Sequence, residues 1–166
     1  QASILILKNL LTAVKDGNNI EAREAMSTGS MMAGIALANA RLGAVHGLAH
    51  PLGINYGIHH GLICGVLLPS VMRFNMPIAE EKYANIYRAI EPSGYQLSYK
   101  ECALKLLEII ENLLDSLNIP RKLSDFGIKE EDLENIALQS QSSESLKANP
   151  RQATPEDLVA IMRDIL

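Results

Sequence analysis

The stretch AVHGLAHPLGINYGIHHGLICGVLLPSVM, residues 44–72, carries no formal charge. Its glycines, with Gly43 just before it, fall at intervals of four: Gly43 and Gly47, then Gly53, Gly57, Gly61 and Gly65. At helical pitch this spacing puts small side chains on one face and lets neighbouring backbones come close. It predicts a buried central pair of helices. Working outward, Arg41 is the only charged residue between Met26 and Met72. Such close approach can also make room for a ligand, provided that polar groups face it.

Both flanks read as helix. Ile4, Leu5, Leu7, Leu11 and Val14 recur at helical spacing and Gly17 stops the run. Asn18 or Asn19 is placed to cap a second helix over Ile20 to Asn39. Past Arg73 the character changes. Segments 79–90, 98–117, 129–138 and 155–166 alternate charged and apolar residues with a period near 3.6, which predicts surface helices with one face on the core. In the second of these, Leu104, Leu107, Ile110 and Leu114 form the apolar side. Pro92-Ser93-Gly94 and Asn118-Ile119-Pro120 are breaks. Ser124 and Thr154 stand where N-caps are wanted, and Thr154-Pro155-Glu156-Asp157 combines a cap, a first-turn proline and acids. No strand-like alternation occurs. The expectation is an all-α chain of seven or eight helices.

Composition narrows the function. Of 166 residues, 48% are apolar and 20% charged, enough for a real core and too apolar for wholesale disorder. A net charge of -4 argues against a surface that tracks phosphates, so nucleic acid is not an expected partner. No uncharged run reads as long enough to span a bilayer, and no membrane is expected. Cys64 and Cys102 form no CxxC pair, which favours a reducing, cytoplasmic setting. Cys64, inside an apolar run, reads as an inert core thiol.

All four histidines, His46, His50, His59 and His60, lie within one short span. Neutral imidazole is the commonest ligand for first-row metals, and grouped histidines point to a metal site. His46 and His50 are four apart and share a helix face. By spacing alone both would be ligands, with His59 or His60 as the third. No Asp or Glu lies between Glu24 and Glu80 to add a carboxylate. There is no GxGxxG, no GxxxxGK[ST] and no GxSxG.

Several stretches together resemble the iron-containing (group III) alcohol dehydrogenases. They are residues 33–43, the run His46-Gly47-Leu48-Ala49-His50-Pro51-Leu52-Gly53, His60-Gly61, residues 67–75, Asn149-Pro150-Arg151 and Thr154-Pro155-Glu156-Asp157. The likeness covers nearly the whole chain. It implies the helical C-terminal domain of the dehydroquinate synthase-like superfold. Residues 1–166 would form a single helical domain, most of the metal-binding half of a two-domain dehydrogenase, with the nucleotide-binding domain outside it.

By this resemblance His46 and His60 match metal ligands. His50 matches a catalytic histidine that passes or positions a proton. Leu37 falls where a side chain lines the substrate pocket, and His59 would sit behind the ligands or at the surface. The metal implied is Fe2+, with Zn2+ as the alternative. The cofactor is NAD or NADP, the substrate a small alcohol or aldehyde, and the enzyme a homo-oligomer. The family's remaining ligands, an Asp and a His four residues apart, have no counterpart here. The chain alone is therefore expected to be inactive and to hold metal weakly. A related dehydrogenase or lyase of the same superfold and a non-enzymatic metal-binding module are the rival readings. The glycine and His60-Gly61 motifs favour the first.

Overall fold

The computed structural model describes residues 1–166, and its regular elements are all helical. In order they are α1 (Ala2–Lys15), α2 (Ile20–Ala40), α3 (Ala44–Tyr56), α4 (His60–Ile90), α5 (Tyr99–Ser116), α6 (Leu133–Ser140), α7 (Glu144–Lys147) and α8 (Pro155–Arg163). Three short 3-10 turns lie at Pro92–Gln96, Leu123–Phe126 and Glu130–Asp132. The helices gather into two units. One comprises Gln1–Ala40 and Ala79–Leu117, the other Arg41–Ile78 and Asn118–Leu166, so that α4 contributes to both.

In the first unit α1 and α2 form a hairpin. The Asn19 side chain accepts the Ala22 N–H at 3.0 Å, so Asn19 rather than Asn18 caps α2. Gly29 lets the pair close up: a Cβ there would lie 2.9 Å from Ile6 Cγ1. Helix α5 starts at a reciprocal capping box between Ser98 and Glu101. It buries Cys102, Ala103, Leu106, Leu107, Ile110 and Leu114. Leu104, expected on that apolar side, is exposed instead. The buried arc is shifted toward the small residues Cys102 and Ala103, which permit closer packing.

The second unit holds the main core. Leu48 and Leu52 of α3, Ile63 and Leu67 of α4, Leu133 and Ile136 of α6, and Leu158 and Met162 of α8 are all fully buried there. Full burial of each such side chain is worth about 1.5–3 kcal/mol before entropy. Helix α8 begins at the expected Thr154 cap, whose hydroxyl accepts the Asp157 N–H at 3.2 Å. Ser124 is not a cap. Its hydroxyl donates to the Leu166 carbonyl at 2.7 Å and ties down the chain end.

Two expectations about α4 need correction. Segment 79–90 is not a separate helix but the last third of a 31-residue one, which runs through Pro69 and Pro77. Each proline removes one backbone donor. Burial of Val66, Leu67, Val71 and Met72 around the first of them offsets that loss. Helix α4 is also long and apolar enough to cross a membrane, with an 18-residue window of mean hydropathy 1.5. Half of that window is buried inside the protein, as a core helix requires.

Candidate metal centre

The histidines are placed by the α3–α4 corner. Helix α3 begins at Gly43, which has no side chain to cap it. Asn149 does this work from a distance of more than one hundred residues along the chain: its Oδ1 accepts the Ala44 N–H at 3.0 Å. A Cβ on Gly43 would lie 2.9 Å from that same oxygen, so only glycine leaves room for the bond. The Asn149 amide also donates to Asn75 Oδ1 and to the Arg151 carbonyl, both at 2.7 Å. Asn75 returns a bond to Asn149 Oδ1 at 3.2 Å. Both asparagines are buried with their polar groups paired, which makes the anchor rigid rather than costly. Arg151 donates to the Phe74 carbonyl at 2.9 Å and lies 4.0 Å above the Phe74 ring.

One turn into α3, Gly47 packs on α7, and a Cβ there would lie 3.1 Å from Leu146 Cβ. The helix ends at Gly57, whose φ of 65° is the left-handed conformation that glycine adopts at least cost. Ile58 is buried, His59 follows, and α4 starts at His60. This tight corner turns His60 back onto His46. Their ring centroids are 5.3 Å apart with the planes inclined by 49°. Cys64, one helical turn beyond His60, points the same way, with Sγ 3.6 Å from His60 Nε2. One donor atom from each of His46, His60 and Cys64 lies within 4.8 Å of the other two.

The electrostatics of His46 suit a cation ligand. Burial, aided by the neighbouring His60, lowers the pKa of His46 and favours the neutral ring that binds metals. Burial raises the Cys64 thiol above its ordinary value, which by contrast favours the protonated sulfur. Two imidazoles and a sulfur converging on one point suit a first-row dication. His46 and Cys64 are partly buried and His60 is exposed. The group opens on a cleft of about 450 Å3 whose walls include Leu42, His46, His50, Pro51, His60 and Gln139.

The structure thus separates the sequence candidates. His46 and His60 come together. His50, on the same face of α3, lines the cleft but is not in the three-donor group. His59 is exposed and also outside that group. Leu37 lies on an exposed run of α2. Cys64, read from the sequence as a core thiol, is half-buried and packs against the core, and it also stands beside His60. The signal was present in its four-residue spacing from His60.

Comparison with known proteins identifies the family. The family model for the C-terminal part of Fe-containing alcohol dehydrogenases matches residues 1–166. The 1,3-propanediol dehydrogenase of Klebsiella pneumoniae is 39% identical over 163 residues, covering 98% of this chain and 42% of that protein. The NAD-dependent methanol dehydrogenase of Bacillus methanolicus is 35% identical over 166 residues, covering 100% of this chain and 44% of that protein. The crystal structure of a 1,3-propanediol oxidoreductase superposes with a TM-score of 0.95 at 38% identity, covering 99% of this chain and 43% of that one. An alcohol dehydrogenase from Oenococcus oeni gives 0.93 at 34% identity, covering 99% of this chain and 43% of that one. The chain belongs to the iron-containing alcohol dehydrogenase family and corresponds to its C-terminal, helical part. It spans about two-fifths of the length of the curated relatives that it matches.

Proposed function

We propose that this chain is the metal-holding part of an NAD(P)-linked alcohol dehydrogenase that interconverts a small alcohol with its aldehyde or ketone. The observation that carries the reading is the convergence of His46 and His60 beside an open cleft, in a chain of this family. His46 and His60 would hold the metal as neutral nitrogen donors. Bound there, a dication would supply Lewis acidity to the alcohol oxygen.

The chain's own residues do the rest of the local work. His50 lines the cleft one turn from His46 and is open to water, a suitable place for a group that takes a proton from the substrate side and passes it out. The Asn149–Asn75 pair holds the start of α3 and so the direction of His46. Burial favours the neutral form of the His46 ring. Hydride transfer belongs to the nicotinamide, which we assign to chain outside these 166 residues. Relatives named for 1,3-propanediol and methanol support a small-alcohol substrate. A reducing compartment such as the cytoplasm goes with this reading, because the half-buried thiol beside the histidines is free.

The test pairs metal content with turnover. Purified alone, the chain should show no NAD-dependent oxidation of 1,3-propanediol or methanol. Turnover by these 166 residues would sink the claim that the cofactor site lies elsewhere. In the intact enzyme, His46→Ala should lose bound metal and activity together. His50→Ala should keep the metal and slow turnover, by about 10²–10⁴-fold if it is the proton-transfer group. Metal loss in His50→Ala would restore His46 and His50 as twin ligands.

A further inference from the structure

We infer that the polar run QSQSSES, residues 139–145, is a substrate-reading wall of the histidine cleft, and that it selects a short alcohol carrying a second hydroxyl. This deepens the reading above and rests on it: the cleft and the reaction are the same, and the substrate class and the residues that choose it are new. The run spans the end of α6 and the start of α7. Four of its residues, Gln139, Ser142, Ser143 and Ser145, line the cleft that also holds His46, His50 and His60. No lysine, arginine or carboxylate lines it. Arg41 and Glu144, next to the cleft wall in sequence, are paired with each other at 3.2 Å. The wall therefore offers neutral hydrogen bonds and no counter-charge, which suits a hydroxyl better than a carboxylate, a phosphate or an amine.

The wall is held in place at both ends. Asn55, near the end of α3, donates to Gln139 Oε1 at 3.1 Å, which leaves the Gln139 amide nitrogen to donate elsewhere. A Cβ on Gly47, the residue after His46, would lie 3.1 Å from Leu146 Cβ, so the chain just past the run packs on the helix that bears two of the histidines. Ser140 turns inward: it is buried, and its hydroxyl donates to the Ile136 carbonyl at 2.8 Å. The other serines are not used up in this way. Ser143 and Ser145 are half-buried and neither hydroxyl has a protein partner; Ser143 precedes α7 without capping it. The Ser142 hydroxyl has only a long bond, 3.3 Å, to the Gln139 carbonyl. Gln141 Nε2, in the same run, is buried with no partner. The run holds more hydrogen-bonding capacity than the chain itself fills, and folded proteins leave little of that capacity empty.

With the reacting end of the substrate toward the histidines, a second hydroxyl would both donate to this wall and accept from it. A plain alkyl end would strip water from the serine hydroxyls and give them only carbon to face. One net hydrogen bond is worth about two- to tenfold in binding. No bond is made or broken at this end of the substrate, so the wall acts on recognition alone. The test uses the intact, metal-loaded enzyme with its nicotinamide cofactor. It compares kcat/KM for 1,3-propanediol with that for 1-propanol, corrected for the two equivalent ends of the diol. The diol should be preferred by about tenfold or more. Combining Ser143→Ala with Ser145→Ala should lower that ratio by about tenfold, chiefly through the KM of the diol. Ser145→Thr, which keeps a hydroxyl, should retain more of the preference than Ser145→Ala. Each variant is checked for metal content.

A wild-type ratio near one would overturn the wall and leave the dehydrogenase reading standing, with the run given over to solvent or to the rest of the chain. A preference that survives the double variant would overturn it too, by placing the selecting groups elsewhere. An equal fall of kcat for both alcohols, with the ratio unchanged, would overturn it by making the serines structural. No turnover of either alcohol by the metal-loaded enzyme would overturn the dehydrogenase reading and this inference together. Should the double variant fail to fold, Ser145→Ala set against Ser145→Thr decides.

Discussion

The C-terminal half of α2 and the body of α3 read alike and end up differently. Residues 31–40 carry no charge, residues 44–53 none apart from the two histidines, and both contain glycine and alanine at close spacing. On α2, Met31, Ile35 and Leu37 are 62%, 59% and 44% exposed. On α3, Leu48, Ala49 and Leu52 are fully buried. The glycines differ in the same way. Added atoms at Gly34 would meet nothing within 4 Å, whereas a Cβ at Gly47 would press on Leu146. An uncharged, small-residue helix is thus only permission for close packing. Whether a neighbour arrives is decided elsewhere in the chain, here by α6 and α7, which pack on α3.

The largest test of this contrast is truncation of one leucine or isoleucine on each helix. Leu52→Ala should cost about 2–5 kcal/mol, because it leaves a cavity in a closed core. Ile35→Ala should stay within about 0.5 kcal/mol. Urea unfolding followed by circular dichroism measures both, and equal losses would show that the two helices are packed alike.

The glycines sharpen the contrast at smaller scale. Gly47→Val should destabilise by about 1–3 kcal/mol through overpacking against α7. Gly34→Ala should instead stabilise by up to about 1 kcal/mol, since a helical glycine with open space loses only its entropic cost. A destabilising Gly34→Ala would mean that α2 is covered at Gly34 as well as on its α1 side.

A comparable loss, about 1–3 kcal/mol, is expected for Asn149→Ala, which leaves the Ala44 N–H and the Asn75 amide without their partner. Because this anchor sets the start of α3, the variant should also disturb the His46 ring signals in NMR. Unchanged signals would show that α3 is held by its apolar packing alone.

The smallest effect concerns a helix start held locally instead. Hydrogen bonds from the Ser98 side chain and backbone hold the Glu101 carboxyl below its ordinary value. A lowered carboxylate contributes stability above its unfolded value, which is lost as pH falls through the folded one. Glu101→Gln should therefore be slightly less stable than wild type near neutral pH, and the gap should close as the pH falls from the ordinary carboxylate range through the lowered folded-state value. A gap that persists in acid would assign the effect to something other than the carboxylate.

Much of the fold was legible because it is written in local terms. The α1 periodicity, the Gly17 stop and the Thr154 cap each depend on residues a few positions apart. The errors arose where the deciding partner is distant. Helix α4 runs past Pro69 because burial on both sides of it outweighs one lost donor. Leu104 faces outward because Cys102 and Ala103 allow a tighter contact. The four-residue helix α7 is too short to show a period. At the site, the histidine cluster was visible at once, but spacing alone paired His46 with His50. The corner at Gly57 pairs it with His60 and adds Cys64.

What the sequence by itself determined is the all-helical class, the histidine-rich uncharged centre and the family motifs that go with it. These follow from helical periodicity and from the side-chain chemistry of imidazole. Only the tertiary structure decided which uncharged helix is buried, that Asn149 anchors α3 from across the chain, and that a cysteine joins two of four histidines. Those outcomes depend on backbone turns and long-range packing, through which residues far apart or on different helices come within a few ångströms of one another.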